Sequence, residues 1–176
     1  MVNIEIRISG SGGQGIITAG IILAEAALLD GNNAIQSQVY GPEARGGASK
    51  AEVIISSSEI YYPKVTAPQI LIALTPEAYR SHGNAVISGG VLLVDSSIAL
   101  GEHPERKVYS LPILETARSQ LRPVVANVIA LGAIAKLTGC VTLESLEKAV
   151  LARIRAEHID LNKKALTAGI ALAEAK

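Results

Sequence analysis

Two glycine-rich segments of the sequence contain residue types that could bind an anion or a cofactor. The first is GSGGQG at residues 10–15, which follows an alternating apolar segment and precedes a long apolar one. It has the spacing of the dinucleotide-binding fingerprint, in which a strand, a glycine turn and a helix present backbone N–H groups and the positive end of the helix dipole to a phosphate. The alternative is that the glycines only permit a tight turn and close packing of strand against helix. The candidate binding residues of this turn are Gly10, Gly12, Gly13, Gln14 and Gly15.

A dinucleotide site needs one further feature, which is an acidic residue at the end of the second strand to bind the ribose. The predicted second strand ends in Gln38-Val39-Tyr40. The nearest acidic residue, Glu43, follows Gly41-Pro42 inside a loop. The sequence therefore disfavours NAD binding at the glycine turn.

The second segment is the loop YGPEARGG at residues 40–47, whose candidate binding residues are Tyr40, Glu43, Arg45, Gly46 and Gly47. Arg45 offers a rigid, permanently charged fork for a carboxylate or a phosphate. The two glycines would let a partner or ligand approach the backbone closely. If the first two strands are parallel, this loop lies at the same sheet edge as the glycine turn. The alternative is a local surface ion pair between Glu43 and Arg45, which would have little energetic effect.

Apolar periodicity and turn residues predict alternating strands and helices along the chain. Strands are predicted at residues 3–9, 34–39, 51–55, 60–62, 70–74, 91–94 and 108–111. Helices are predicted at 16–29, from a Thr75 cap to Gly83, at 115–120, at 124–137, after a Thr142 cap, and from Leu161 with Asp160 as the N-cap. The link between the second and third strands is too short for a helical crossover, so that pair is predicted to be antiparallel. We therefore predict an α/β fold in a single domain over residues 1–176: a three-layer α/β/α sandwich with a mixed, mostly parallel sheet and a Rossmann-like first strand, glycine turn and helix.

The composition excludes several classes of function. The formal net charge is +0 and aromatic residues make up only 3% of the chain, so neither a nucleic-acid surface nor a base-stacking platform is expected. None of the apolar stretches reaches the ~18 residues of a membrane span. The one cysteine, Cys140, cannot form a disulfide within the chain or hold an iron–sulfur cluster, and the three histidines have no zinc-site spacing. We expect no catalytic residue, no bound metal and a cytoplasmic location.

Asn127 is the one polar residue that stands out in an otherwise apolar helix. A buried amide must find hydrogen-bond partners, so Asn127 is a candidate binding residue or, alternatively, an ordinary helix-packing amide.

The two glycine-rich motifs together closely resemble those of the gamma subunit of 2-oxoacid:ferredoxin oxidoreductases. The resemblance rests on GSGGQGI followed by QSQVYGPEARGGASKAEVIIS, and it continues through YPKVTAPQILIALTPEAY and ANVIALGAIAKLTG over essentially the whole chain. The form of the second motif is more similar to the 2-oxoglutarate branch than to the pyruvate branch. Asn127, with Leu131 and Gly132, matches a third and weaker family pattern.

The resemblance implies a function that the residues alone do not give. Enzymes of this family decarboxylate a 2-oxoacid with coenzyme A (CoA), giving an acyl-CoA, CO2 and reduced ferredoxin. It implies thiamine diphosphate and Mg²⁺ bound by alpha and beta subunits, and [4Fe-4S] clusters on beta and a ferredoxin-like delta subunit. The gamma chain would bind no cofactor alone, would be inactive alone, and would pack on the catalytic pair and frame the CoA side of the active site.

Two other interpretations remain open at the level of sequence. The chain could be the corresponding subunit of an indolepyruvate or pyruvate ferredoxin oxidoreductase, or a free-standing nucleotide-binding α/β protein. The missing acidic residue after the second strand argues against the last.

Overall fold

The computed structural model describes residues 3–40 and 48–176, without the side chains of residues 39 and 40. This part of the chain contains six strands and six α-helices. The strands are β1 (Asn3–Ser11), β2 (Asn33–Tyr40), β3 (Ala48–Ser56), β4 (Ile70–Ala73), β5 (Val91–Asp95) and β6 (Lys107–Leu111). The helices are α1 (Ile16–Leu29), α2 (Pro76–His82), α3 (Ile113–Gln120), α4 (Ala126–Thr138), α5 (Leu143–Leu151) and α6 (Ile159–Glu174). Short 3-10 turns occupy Gly83–Ala85, Pro123–Val125 and Ala156–His158.

The six strands form one mixed sheet in the order β2-β3-β1-β4-β5-β6. Strands β1, β4, β5 and β6 are parallel, and β3 is antiparallel to both of its neighbours, β1 and β2. The predicted mixed, mostly parallel sheet and the predicted antiparallel second pair are therefore confirmed. Because β3 reverses direction between them, β1 and β2 run the same way.

The two layers of helix are unequal in size. One sheet face packs against α1, α3, α4, α5 and α6 around a core of aliphatic residues and alanine, which includes Ile6, Ile8, Leu23 and Ile129. The other face has a much smaller core, in which α2 covers the β4–β5 half of the sheet. The three-layer sandwich predicted from sequence is thus correct in topology, with one thin layer.

Local signals position most helix ends as predicted. The Thr75 and Thr142 hydroxyls accept hydrogen bonds from the backbone N–H groups of Ala78 and Ser145, so both residues are N-caps. Gly139 ends α4 in the left-handed region, with φ 64°. Helix α1 has the predicted bounds.

Three predictions of local structure are wrong. Residues 60–62 form no strand, and the segment that follows them is held at β1 by a side chain: the Glu5 carboxylate accepts from the N–H groups of Thr66 and Ala67. Helix α6 begins at Ile159, so Asp160 lies in its first turn and His158 takes the N-cap position after a 3-10 turn. Helix α3 begins at Ile113, two residues early.

The early start of α3 has a tertiary cause. The buried Asp95 carboxylate, at the carboxyl end of β5, accepts from the Leu114 N–H at 2.8 Å and thereby satisfies a donor of the first helical turn. The same carboxylate accepts from the N–H and the hydroxyl of Ser97.

In the described residues, no helix combines the length and the apolar character that crossing a membrane requires.

Candidate functional site

The first glycine turn lies at the carboxyl end of β1 and is closed by its own glutamine. The Gln14 side-chain oxygen accepts from the Ser11 N–H at 2.8 Å, and the Gln14 N–H donates to the Ser11 carbonyl at 3.2 Å. Gly13 and Gly15 adopt φ values of 89° and 70°, a region that L-residues other than glycine rarely occupy. Glycine at positions 13 and 15 is therefore required by the backbone path of this turn.

Two of the turn glycines also serve close packing. A Cβ at Gly10 would lie 2.3 Å from the Gln14 side-chain oxygen, and one at Gly15 would lie 2.5 Å from Asn127 Nδ2. A Cβ at Gly13 would meet nothing within 4 Å. The packing interpretation thus accounts for Gly10 and Gly15, whereas Gly13 presents an open backbone.

Asn127 connects the glycine turn to α4. Its Nδ2 donates to the Gly15 carbonyl at 3.1 Å, and its Oδ1 accepts from the Val128 N–H at 2.9 Å. The side chain is buried and therefore needs partners within the protein, and these two hydrogen bonds supply one at each end of the amide. It holds the first turn of α1 against the first turn of α4, and the hydrogen-bond partner that the sequence required is the turn itself.

The flank of the second glycine-rich loop lies at the same sheet edge. Ser11 pairs with Ala48 and Tyr40 pairs with Ser49, so the carboxyl ends of β1 and β2 both meet the start of β3. The two ends are about 10 Å apart, because one strand separates them. Glu43, Arg45, Gly46 and Gly47 lie outside the described residues. The described strands thus bring the two ends of this loop to the edge that holds the glycine turn.

A cavity of about 410 Å³ lies beside the glycine turn, between α1, the start of α4 and the link from α5 to α6. Its wall toward the turn includes Gly13, Gly15, Thr18 and Asn127. Its apolar lining includes Ile22, Val128, Ile154 and Leu161. Its rim carries the cationic or titratable residues Arg122, Arg153, Arg155 and His158, and no aspartate or glutamate is among the described lining residues. We call this feature the cationic cavity.

The cationic residues of the cavity differ in their partners. Arg153 donates two hydrogen bonds to Glu25, one of them from Nε to Oε2 at 2.6 Å, and this carboxylate raises the pKa of Arg153. His158 lies 3.3 Å from Glu157. Within the described chain, Arg122 and Arg155 form neither an ion pair nor a side-chain hydrogen bond, and both are exposed. The sequence carried no signal for this pairing pattern, because the residues come from three separate segments.

The opposite sheet face carries a cluster of charges that the sequence analysis missed. Arg7 and Glu52 are paired residues of β1 and β3, and Arg7 Nε donates to Glu52 Oε1 at 2.9 Å. Lys50 Nζ lies 3.0 Å from the same oxygen. Burial alone would raise the pKa of Glu52, but the hydrogen bonds from Lys50 and Arg7 outweigh it and the pKa is lowered. Burial, together with the nearby Arg7 and Lys50 charges, lowers the pKa of His82. These groups satisfy one another as a structural ion cluster.

The described residues contain no group of three metal-ligating side chains, and their single cysteine is buried. Burial raises the pKa of the Cys140 thiol, which is thereby kept from acting as a nucleophile. The groups described around the glycine turn are backbone groups, the Asn127 amide, three arginines and the His158 imidazole.

A family profile and curated relatives of this chain indicate the same family. The sequence profile described as "Pyruvate ferredoxin/flavodoxin oxidoreductase" matches residues 5–172. The 2-oxoglutarate synthase subunit KorC of Methanocaldococcus jannaschii is 45% identical over 175 residues, which are 97% of this chain and 94% of the relative.

Solved structures agree with this result. The gamma subunit of a keto/oxoacid ferredoxin oxidoreductase from Geobacter sulfurreducens has a TM-score of 0.90 and 46% identity, covering 99% of this chain and 98% of that one. The 2-oxoglutarate:ferredoxin oxidoreductase of Magnetococcus marinus, solved with 2-oxoglutarate, CoA and succinyl-CoA bound, has a TM-score of 0.89 at 24% identity. The match covers 100% of this chain and 32% of the Magnetococcus chain, and at that identity it shows the fold alone. The chain belongs to the pyruvate ferredoxin/flavodoxin oxidoreductase family and is a gamma-type subunit of a multi-subunit 2-oxoacid:ferredoxin oxidoreductase.

Proposed function

We propose that the complex containing this subunit oxidises 2-oxoglutarate. The reaction would convert 2-oxoglutarate, CoA and oxidised ferredoxin to succinyl-CoA, CO2, reduced ferredoxin and a proton. The observation that carries this assignment is the 45% identity with the KorC subunit over 97% of the chain. Residues 1–176 would act as one gamma-type domain, and the complex would work in the cytoplasm, where a reducing environment suits the free thiol of Cys140.

The redox cofactors of the complex belong to other subunits in this proposal. Thiamine diphosphate and Mg²⁺ would be bound by alpha and beta, and the [4Fe-4S] clusters by beta and a ferredoxin-like delta subunit. A cluster needs several thiolates, and this sequence contains one cysteine. The role of the gamma chain is therefore to bind and orient, not to transfer electrons.

The glycine-turn edge is our candidate for the CoA side of this subunit. Gly10, Gly12, Gly13, Gln14 and Gly15 form the first part, and the second loop adds Tyr40, Glu43, Arg45, Gly46 and Gly47. The parallel direction of β1 and β2 supports this grouping, since both segments leave the sheet at the same edge. Asn127 supports the turn from behind through the Gly15 carbonyl.

Arg45 has two possible roles at this edge, and we propose that it contacts a neighbouring subunit through a carboxylate. The competing role is to bind a phosphate of CoA. Arg45→Lys keeps the charge but removes the bidentate fork. In the interface role, this change weakens assembly and leaves the KM for CoA unchanged in the remaining complex. In the CoA role, the complex assembles and the KM for CoA rises, more so at high salt.

The assignment is tested by purifying the native complex through a tag on this chain. We expect thiamine-diphosphate-binding and cluster-bearing chains to co-purify, and we expect the highest kcat/KM with 2-oxoglutarate in a ferredoxin-reduction assay with CoA. The isolated chain should show no turnover. A higher kcat/KM with pyruvate or indolepyruvate would replace the substrate assignment. A stable protein without partners that binds NAD would refute the subunit assignment.

A further inference from the structure

We propose that the cationic cavity is the docking site for an acidic, partly apolar segment of a partner catalytic chain, with a carboxylate of that segment held between Arg122 and Arg155. The proposal rests on the proposed function, which makes this chain one subunit of a complex. It adds the surface through which the subunit is held and the chemistry of the segment that it binds.

The distribution of ion pairs in the described chain carries the first step. Four of its arginines, Arg7, Arg80, Arg118 and Arg153, pair with a carboxylate of the chain itself. Arg106 donates to two backbone carbonyls and contacts His103.

Of the arginines described, Arg122 and Arg155 alone have neither a carboxylate partner nor a side-chain hydrogen bond, and both border the same cavity. The lining described for that cavity contains no acidic side chain, and the Glu157 and Asp160 carboxylates of the neighbouring pocket that Arg122 also borders pair with His158 and Lys164. A partner carboxylate would give both the kind of ion pair that four other arginines form within the chain.

The shape and burial of the site favour a polypeptide over a small anion. A compact anion site normally contains a cationic group that is buried and oriented by its neighbours, whereas Arg122 and Arg155 are both exposed. Val124, between Arg122 and the start of α4, is 66% exposed, and the same cavity is lined by Ile22, Val128 and Ile154. A small anion would leave this apolar surface in water, but a chain segment would cover it. Arginine around an apolar centre is the composition typical of protein interfaces.

The position of the cavity links the docking site to the proposed active-site edge. Gly13 and Gly15 line both the cavity and the glycine turn, and Asn127 joins the cavity wall to that turn through a hydrogen bond. A partner segment bound here would lie against the back of the turn. Docking at this surface would therefore fix the position of the glycine turn relative to the catalytic chains.

The test uses the complete complex and two matched double variants. Arg122→Glu with Arg155→Glu reverses the two unpaired charges. Lys64→Glu with Arg80→Glu makes the same change in net charge at exposed residues that do not line the cationic cavity. Thermal unfolding of each isolated subunit verifies that both variants fold, and Arg122→Gln with Arg155→Gln provides a milder pair if the reversal does not.

The dissociation constant of this subunit for the other chains is measured at low and high salt. We expect the Arg122/Arg155 variant to bind about tenfold or more weakly, and to lose most of the salt dependence of the wild type. The Lys64/Arg80 variant should bind within about twofold of the wild type, as expected for exposed charges outside an interface.

Other results would overturn the proposal. If the wild-type complex assembles and the Arg122/Arg155 variant assembles equally well, the docking site lies elsewhere. If that variant assembles normally but loses stabilisation of the isolated chain by inorganic pyrophosphate, the cavity binds a small anion instead. Equal weakening by both double variants would indicate a general charge effect and also reject the docking site. Failure of the wild-type chain to join any complex would instead refute the proposed function on which the inference depends.

Discussion

Gly15 is the position at which one added methyl group should have the clearest effect on this fold. Gly15→Ala places a Cβ on a backbone with φ 70° and 2.5 Å from Asn127 Nδ2. The left-handed conformation costs a non-glycine residue about 1 kcal/mol. Displacing the Asn127 side chain adds the loss of its hydrogen bond to the Gly15 carbonyl, about 1 kcal/mol, and leaves a buried amide without that partner.

We therefore expect Gly15→Ala to lower the free energy of unfolding by about 3 kcal/mol, which for a chain of this size corresponds to a fall in Tm of roughly 10 °C. The matched control is Gly31→Ala, because Gly31 has a similar φ of 81° but open space around the position of its Cβ. That control should lose only about 1 kcal/mol. Urea unfolding of the isolated chain measures both values.

A double-mutant cycle separates the contact from the backbone strain. With Asn127→Ala in the background, the side chain that a Cβ at Gly15 would meet is gone, so the cost of Gly15→Ala should fall to that of Gly31→Ala. Equal effects of Gly15→Ala and Gly31→Ala in the wild type would refute the proposed coupling. Additive effects of Gly15→Ala and Asn127→Ala would do the same.

Three further predictions concern buried ionisable groups. Asp95→Ala removes the acceptor of the Leu114 N–H and should lower the free energy of unfolding in urea by about 2–3 kcal/mol. A smaller decrease than that of the exposed control Asp160→Ala would contradict this role of Asp95. Because the pKa of Glu52 is lowered from the usual 4.5, its ion cluster stabilises the fold at neutral pH and loses that contribution as pH falls through the folded-state pKa. The free energy of unfolding, measured from pH 7 to 3, should therefore depend less on pH in Glu52→Gln than in the wild type. Parallel plots of unfolding free energy against pH for the two proteins would exclude the effect. Cys140 should react with a thiol reagent only on the timescale of unfolding, since it is buried and its pKa is raised, and rapid modification of the native chain would show that it is accessible.

The sequence by itself determined the features that depend on neighbouring residues. The N-caps at Thr75 and Thr142 were predicted correctly, because one side chain decides each of them. The alternation of strands and helices followed from apolar periodicity. The paired motifs at residues 10–15 and 40–47 indicated the family, which the comparisons confirmed.

The tertiary structure decided what depends on residues far apart in the chain. The segment after residues 60–62 is held by the carboxylate of Glu5, 61 residues away from Thr66 in sequence, and α3 begins early because the Asp95 carboxylate of β5 accepts from its first turn. The Asn127 amide needed a partner, but only the fold could supply the Gly15 carbonyl, 112 residues away in sequence.

The cationic cavity is the strongest example of this limit. Arg122 and Arg155 are unremarkable in sequence: Arg122 precedes the apolar stretch that begins at Pro123, and Arg155 lies two residues before Glu157. The packing of the helices brings both to the rim of one cavity, whereas the nearby Glu157 and Asp160 carboxylates pair with His158 and Lys164. Which charge remains without a partner is set by long-range packing, and no local preference of the chain encodes it.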